Sequence, residues 1–194
     1  EWERLTQHHG AQVKDRFLKR LASEIGQRGA LDVLRSGIKD SGCKFQLYYF
    51  RPSSGLNAEI QRLYEANLFA AIRQLHYSEK DKDKSLDLAL FLNGIPIFTA
   101  ELKNPLTGQT VQNATQQYKT TRDPREPLLA FRRCLAHFAV DPDFVFVTTK
   151  LAGPKTVFLP FNRGKFGGAG NPPKLPTETG YATDYLWERI WSRD

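Results

Sequence analysis

Asp87 and, fourteen residues later, the triplet Glu101-Leu102-Lys103 are the residues whose types and spacing could do chemistry. Side chains of an extended strand alternate between faces, so Glu101 and Lys103 share one side while Leu102 turns to the other. With Asp87 on the preceding strand, two carboxylates and a lysine would converge on one face. Carboxylates held that close repel unless a cation joins them, and oxygen ligands favour Mg²⁺ or Mn²⁺ over zinc. Asp87, Glu101 and the backbone carbonyl of Leu102 are the expected ligands. Such an ion neutralises a scissile phosphate and lowers the pKa of a bound water. Lys103 would orient that water or stabilise charge on the pentacovalent phosphorus. The plain alternative is a surface salt bridge between Glu101 and Lys103, and D…ExK spacing by itself arises by chance in many chains.

The elements that must position these groups are legible around them. Residues 85–92 (SLDLALFL) alternate, which puts Leu86, Leu88, Leu90 and Leu92 on one face and Ser85, Asp87, Ala89 and Phe91 on the other. Asn93-Gly94 is a strong hairpin signal, and 95–103 (IPIFTAELK) form the return strand. The register decides whether the site exists. A tight two-residue loop pairs Leu92 with Ile95, sets Asp87 against Ala100 and sends Glu101 to the opposite side. A three-residue loop or a one-residue bulge, with Leu92 against Pro96, sets Asp87 opposite Glu101 and Ser85 opposite Lys103. Pro96 cannot donate a ladder hydrogen bond, which favours irregular pairing, so a bulged hairpin is expected.

Elsewhere, Val13, Phe17, Leu21 and Ile25 make one helical stripe over residues 11–25, and a short second helix ends at Gly37. Residues 43–50 (CKFQLYYF) are β-prone, and Pro52 with Gly55 stops them. Asn57 caps a helix through about Asn67, and 68–77 read as a strand. The charged run 79–84 is a solvated turn. A helix falls within 109–121, closed by Asp123-Pro124; strands follow at 143–149 and 156–160, then a Gly/Pro-rich loop at 164–176. Residues 184–192 resume helical spacing, pairing Leu186 with Ile190 and Trp187 with Trp191, a stripe expected to pack on a following domain. The fold class is α/β (α+β), a mixed sheet flanked by helices. The expected divisions are 1–56, helices and a strand packed on the core; 57–163, the catalytic core; and 164–194, a loop and helix leading onward.

Composition narrows the partners. The chain has 194 residues, 40% hydrophobic and 12% aromatic, enough for a sizeable core. The 28 Lys and Arg against 21 Asp and Glu leave a net charge of +7, a pointer to a polyanion. From Lys103 to Lys165, ten Lys and Arg face four acids, Asp123, Glu126, Asp141 and Asp143, so that window alone is +6. No run approaches the ~18 apolar residues of a membrane span, and no signal peptide pattern is present. Cys43 and Cys134 lie far apart without metal-knuckle spacing, consistent with free thiols in a cytosolic protein. The first residue is Glu1 and there is no Met, so the chain reads as a piece of a longer polypeptide.

The stretch SLDLALFLNGIPIFTAELKNPLTGQ resembles the nuclease motif region of type I restriction enzyme R subunits, with their D…NG.P…ELKNP pattern. RCLAHFAVD (133–141), TTKLAG (148–153), FLPFN (158–162), GGAGNP (167–172) and YLWE (185–188) are similar to one branch of that family, so the resemblance covers roughly 30–190. It implies a PD-(D/E)xK nuclease fold at the N-terminus of a large ATP-driven DNA translocase, a type I site-specific deoxyribonuclease. Asp87, Glu101 and Lys103 would be its catalytic set. Double-stranded DNA, motor domains of the same chain, and methyltransferase and specificity subunits would be its partners, in a prokaryotic cytoplasm. Many such subunits carry Gln-x-x-x-Tyr on the helix after the ExK strand. Here Gln116-Gln117-Tyr118 occurs instead, and no Gln has a Tyr four residues on. Adjacent helix positions sit about 100° apart, so Gln117 and Tyr118 cannot both face the site. Gln117 is favoured for it, and the role of Tyr118 stays open, with packing in the core as the plain alternative.

Lys119, Arg122 and Arg125 are the expected DNA contacts. Glu59, on the helix before the first sheet strand, is a candidate additional metal ligand, with a solvated helix glutamate as the alternative. His8, His9, His76 and His137 show no ligand spacing, and His137 reads as a buried, hydrogen-bonded residue. Gly164-Lys165 lacks the GxxxxGK[ST] order, so no ATP site is expected here. Two other functions stand beside the nuclease: a nuclease-like docking or DNA-binding module without catalysis, and a stand-alone repair or junction nuclease. Carboxylates of Asp87 and Glu101 pointing apart, or Lys103 on another face, would favour docking.

Overall fold

The four-residue spacing of Val13, Phe17, Leu21 and Ile25 produces helix α2 (Val13–Arg28) in the computed structural model, which describes residues 1–165 and 168–192. By compactness the chain divides into two units, residues 1–70 with 91–95, and residues 71–90 with 96–194.

In the first unit, α1 (Trp2–His9) precedes α2, and α3 (Ala30–Ser36) follows it, ended by Gly37 as expected. Gly37 has φ +68, and a Cβ there would collide with the carbonyl oxygen of Phe45, so only glycine fits. β1 (Ile38–Asp40) and β2 (Cys43–Phe45) pair antiparallel with Ile38 opposite Phe45. Leu5, Val13 and Cys43 form one buried cluster, flanked by Phe17 and Phe45. The strand expected over 43–50 stops at Phe45. Beyond it the Asn67 amide takes the place of a ladder, accepting from the Tyr49 N–H at 3.2 Å and donating to its carbonyl at 2.7 Å. α4 (Ala58–Glu65) is capped by Asn57, whose side chain accepts from the Ile60 N–H at 3.1 Å.

Six strands form one mixed sheet in chain order: β3 (Phe69–His76), β4 (Ser85–Leu92), β5 (Ile95–Leu102), β6 (Ala136–Val140), β7 (Val145–Thr148) and β8 (Leu159–Pro160). β5 and β6 are parallel, joined by a crossover through α5 (Val111–Thr120); β6–β7 and β7–β8 are antiparallel. β6 is the strand missing from the sequence reading. All five of its residues are buried, because it has strands on both sides and cover on both faces, so it shows no alternation. The strand expected over 156–160 shrinks to Leu159–Pro160.

One sheet face carries Phe138, Ala100, Val140 and Val145, packed with Tyr185 and Leu186. The other carries Ala139 against Val111 and Ala114 of α5. Asp141 at the end of β6 accepts from the Val111 N–H at 2.7 Å and ties down the start of α5. Residues 186–190 form a π-helical segment rather than an amphipathic stripe turned outward. Leu186 is fully buried, and Trp191 packs edge-on against Phe138 at 5.3 Å, while Trp187 and Ile190 stay exposed. The two helical pairs are thus split between this chain's own core and its surface. Part of the RGKFGGAG and GGAGNP stretches, and Arg193 and Asp194, lie outside the described residues. No helix among the described residues is long and apolar enough to cross a membrane.

Within the sheet interior, Thr99 Oγ1 lies 2.8 Å from the Tyr118 hydroxyl and 2.7 Å from His137 Nδ1. Burial holds the His137 imidazole neutral and lowers its pKa from 6.5 to about 4. The unfolded chain therefore binds this proton first. The stabilisation is fully present above about pH 6.5 and is lost as pH falls toward 4. Urea unfolding across that range should show His137→Asn losing less stability on acidification than the parent chain, by on the order of 2 kcal/mol.

Candidate active site

Asn93 (φ +49) and Gly94 (φ +80) both adopt left-handed backbone, and β4 and β5 abut them directly. The hairpin turn is therefore the tight two-residue form, and the irregularity expected of a bulged hairpin does not lie at the turn. The irregularity lies inside β4 instead. Leu86 packs with Tyr118 and Leu129, whereas Leu88 packs against the Ala100–Phe138 cluster on the other face. Two residues of equal parity thus serve opposite faces, so the alternation breaks at Asp87. The four leucines do not share a face; the buried positions of β4 are Leu86, Ala89 and Leu92.

This break lets Asp87 meet the end of β5. Its Oδ2 accepts from the Leu102 N–H at 2.8 Å and lies 3.9 Å from Lys103 Nζ. Its Oδ1 accepts from the Gln74 amide at 3.1 Å. Glu101 is fully buried; Arg122 Nε donates to its Oε1 at 2.6 Å, and its Oε2 has no hydrogen-bond partner. Burial pushes the Glu101 carboxyl up to about 7 and the nearby Asp87 adds to this, while Arg122 pulls the other way. An open cleft of about 760 Å³ lies alongside, lined by Ala71, Ile72, Arg73, Gln74, Asp87 and Leu102.

These groups could hold a hard divalent cation. The unpartnered Glu101 oxygen, the Asp87 carboxylate and the Leu102 carbonyl are all oxygen donors. Among the described residues no cluster of three His, Cys, Asp or Glu side chains is placed to bind a metal. Water or a substrate phosphate would have to complete the shell, as Mg²⁺ sites commonly allow.

The remaining candidates fall in different places. Arg122, expected on the DNA path, is buried: besides Glu101 it donates to the Ser85 carbonyl at 2.7 Å and lies over the Tyr77 ring. Its charge is spent on the carboxylate and is not free to meet a phosphate. Arg125 is exposed and folded back on Asp123, which it holds down at about 2. Lys119 and Gln117 are half-buried on α5, either side of Tyr118. Tyr118 is fully buried and bonded to Thr99, so it serves the core. Glu59 is exposed on α4 in the first unit, with both oxygens taken by Arg62. His137 is buried and bonded as read from sequence.

One residue beside the candidate site, Gln74, escaped the sequence reading, and another, Arg122, was read as a DNA contact rather than as the partner of Glu101. Helical periodicity holds a signal for Arg122, because it follows Tyr118 by four and so continues the buried face beyond the end of α5. Gln74 has no sequence signal; only its position beside Asp87 reveals it.

Removing the guanidinium strands a buried carboxylate. Arg122→Met should destabilise by on the order of 3 kcal/mol, and adding Glu101→Gln should recover a large part, as measured in a urea double-mutant cycle.

A family model described as the type I restriction enzyme R protein N terminus matches residues 12–156, a span that includes Asp87, Glu101, Lys103 and Arg122. Comparison with curated proteins and with solved structures found no match. With most of its length matched, including the whole candidate site, the chain belongs to the family of type I restriction enzyme R protein N-terminal regions.

Proposed function

We propose that this chain is the metal-dependent endonuclease part of a type I restriction enzyme, with a PD-(D/E)xK active site that hydrolyses DNA phosphodiester bonds. The observation that supports this best is the buried, unpartnered Glu101 oxygen beside an Asp87 carboxylate and the Lys103 ammonium. A buried carboxylate oxygen without a donor is costly, and a cation is the natural complement of one set next to a second acid.

Asp87, Glu101 and the Leu102 carbonyl would hold Mg²⁺ or Mn²⁺, which when bound supplies Lewis acidity at the phosphate and a more acidic water. The Leu102 N–H fixes the Asp87 carboxylate from the backbone. Arg122 favours the ionised form of Glu101 against its burial. Lys103, with its side chain 11% exposed and its ammonium near Asp87, is placed to orient an attacking water or stabilise developing charge on phosphorus.

DNA would be held through its phosphates with little base readout, which makes cleavage non-specific in sequence. Lys119 and Arg125 are proposed backbone contacts, the latter after releasing Asp123. Recognition would rest with specificity and methyltransferase subunits, and ATP-driven translocation with motor domains of the same polypeptide.

The test is cleavage of double-stranded DNA by the full-length R protein in its complex with ATP and Mg²⁺. Asp87→Ala and Glu101→Ala should abolish cutting, and Lys103→Ala should slow it by about a hundredfold or more, with ATP hydrolysis retained in all three. Normal cleavage by Asp87→Ala with normal ATPase would refute the assignment and favour a docking module.

A further inference from the structure

We propose that Gln74 is a positioning residue for the Asp87 carboxylate, a role that rests on the catalytic reading of Asp87 above. Gln74 sits within β3 with φ +50. That is left-handed backbone, uncommon for any residue other than glycine and not eased by a short Asn or Asp side chain. Packing does not demand it: every residue of β3 except Leu75 is exposed, and Leu75 is only half-buried. What the conformation accompanies is a pair of side-chain hydrogen bonds. Gln74 Nε2 donates to Asp87 Oδ1 at 3.1 Å, and its Oε1 accepts from the Ser85 hydroxyl at 3.1 Å.

The carboxylate gives the amide its direction. Because it only accepts, the NH₂ end of Gln74 must face Asp87, which leaves Oε1 to accept from the Ser85 hydroxyl and brace the side chain. Ser85 is itself anchored, because its carbonyl accepts from Arg122 Nη2. Arg122, Ser85 and Gln74 thus link the group that holds Glu101 to the group that holds Asp87. Oδ1 is fixed by Gln74 and Oδ2 by the Leu102 N–H, so both Asp87 oxygens are aimed. Outer partners of this kind set the orientation of a ligating carboxylate. Backbone strain kept at such a place is expected where the strained residue serves the site.

The role predicts opposite effects on stability and activity. Gln74→Gly removes the side chain and relieves the backbone. In the full-length R protein, its thermal midpoint should equal or exceed that of the parent. Its cleavage rate should fall roughly tenfold to a hundredfold, with the half-saturating Mg²⁺ concentration raised and the KM for DNA unchanged. Gln74→Asn tolerates the left-handed backbone but is one carbon too short, and should show the same shift in Mg²⁺ dependence. Unchanged cleavage and Mg²⁺ dependence in Gln74→Gly, with Asp87→Ala inactive, overturns the positioning role and leaves the active-site reading intact. A lowered thermal midpoint with equal loss at every Mg²⁺ concentration also overturns it, since a mere anchor for β3 would behave so. Retained cleavage by Asp87→Ala overturns both readings.

Discussion

A carboxylate that is fully out of water needs a counter-charge, and the Arg122–Glu101 pair meets that need in the second unit. Much of the second unit can be understood from it. Arg122 lies just beyond the end of α5, so α5 must be seated firmly enough to aim a side chain across the sheet. That seating comes from Asp141 at the start of the helix and from Tyr118 near its end. The same guanidinium reaches the Ser85 carbonyl and so pins the start of β4, two residues before Asp87. The parallel β5–β6 pairing that buries Glu101 exists because α5 makes the crossover between those strands.

Most of the elements were legible in the sequence, because local patterns create them. The stripe of α2 and the Asn57 cap each act over a few residues and formed as read. β6 was not legible because a strand covered on both faces has no period. The short extent of β2 was not legible either, because the Asn67 side chain that replaces its ladder comes from eighteen residues beyond Tyr49.

The candidate site was legible in part. Asp87, Glu101 and Lys103 were identifiable by type and spacing, and the structure brings them together. The route differs from the one inferred. The turn took its tight form, and the displaced parity appears at Asp87, whose carboxylate is held by hydrogen bonds from the Gln74 amide and the Leu102 N–H. The +6 window needs a finer reading too. Lys103, Arg122 and Arg125 are committed to acids within the chain, and Arg132 and Lys150 stack on Phe131. A sum of formal charges counts these cations as free, whereas the fold assigns several of them partners.

Strand β3 is one of the two edges of the sheet, a place where unpaired backbone groups invite a strand from another molecule. A run of extended residues there would be a template for such pairing. The left-handed residue at Gln74 interrupts the regular spacing of N–H and C=O groups partway along that edge. An incoming strand could match only a few residues before losing register. The conformation that aims an amide at Asp87 therefore also makes β3 a poor template along that edge.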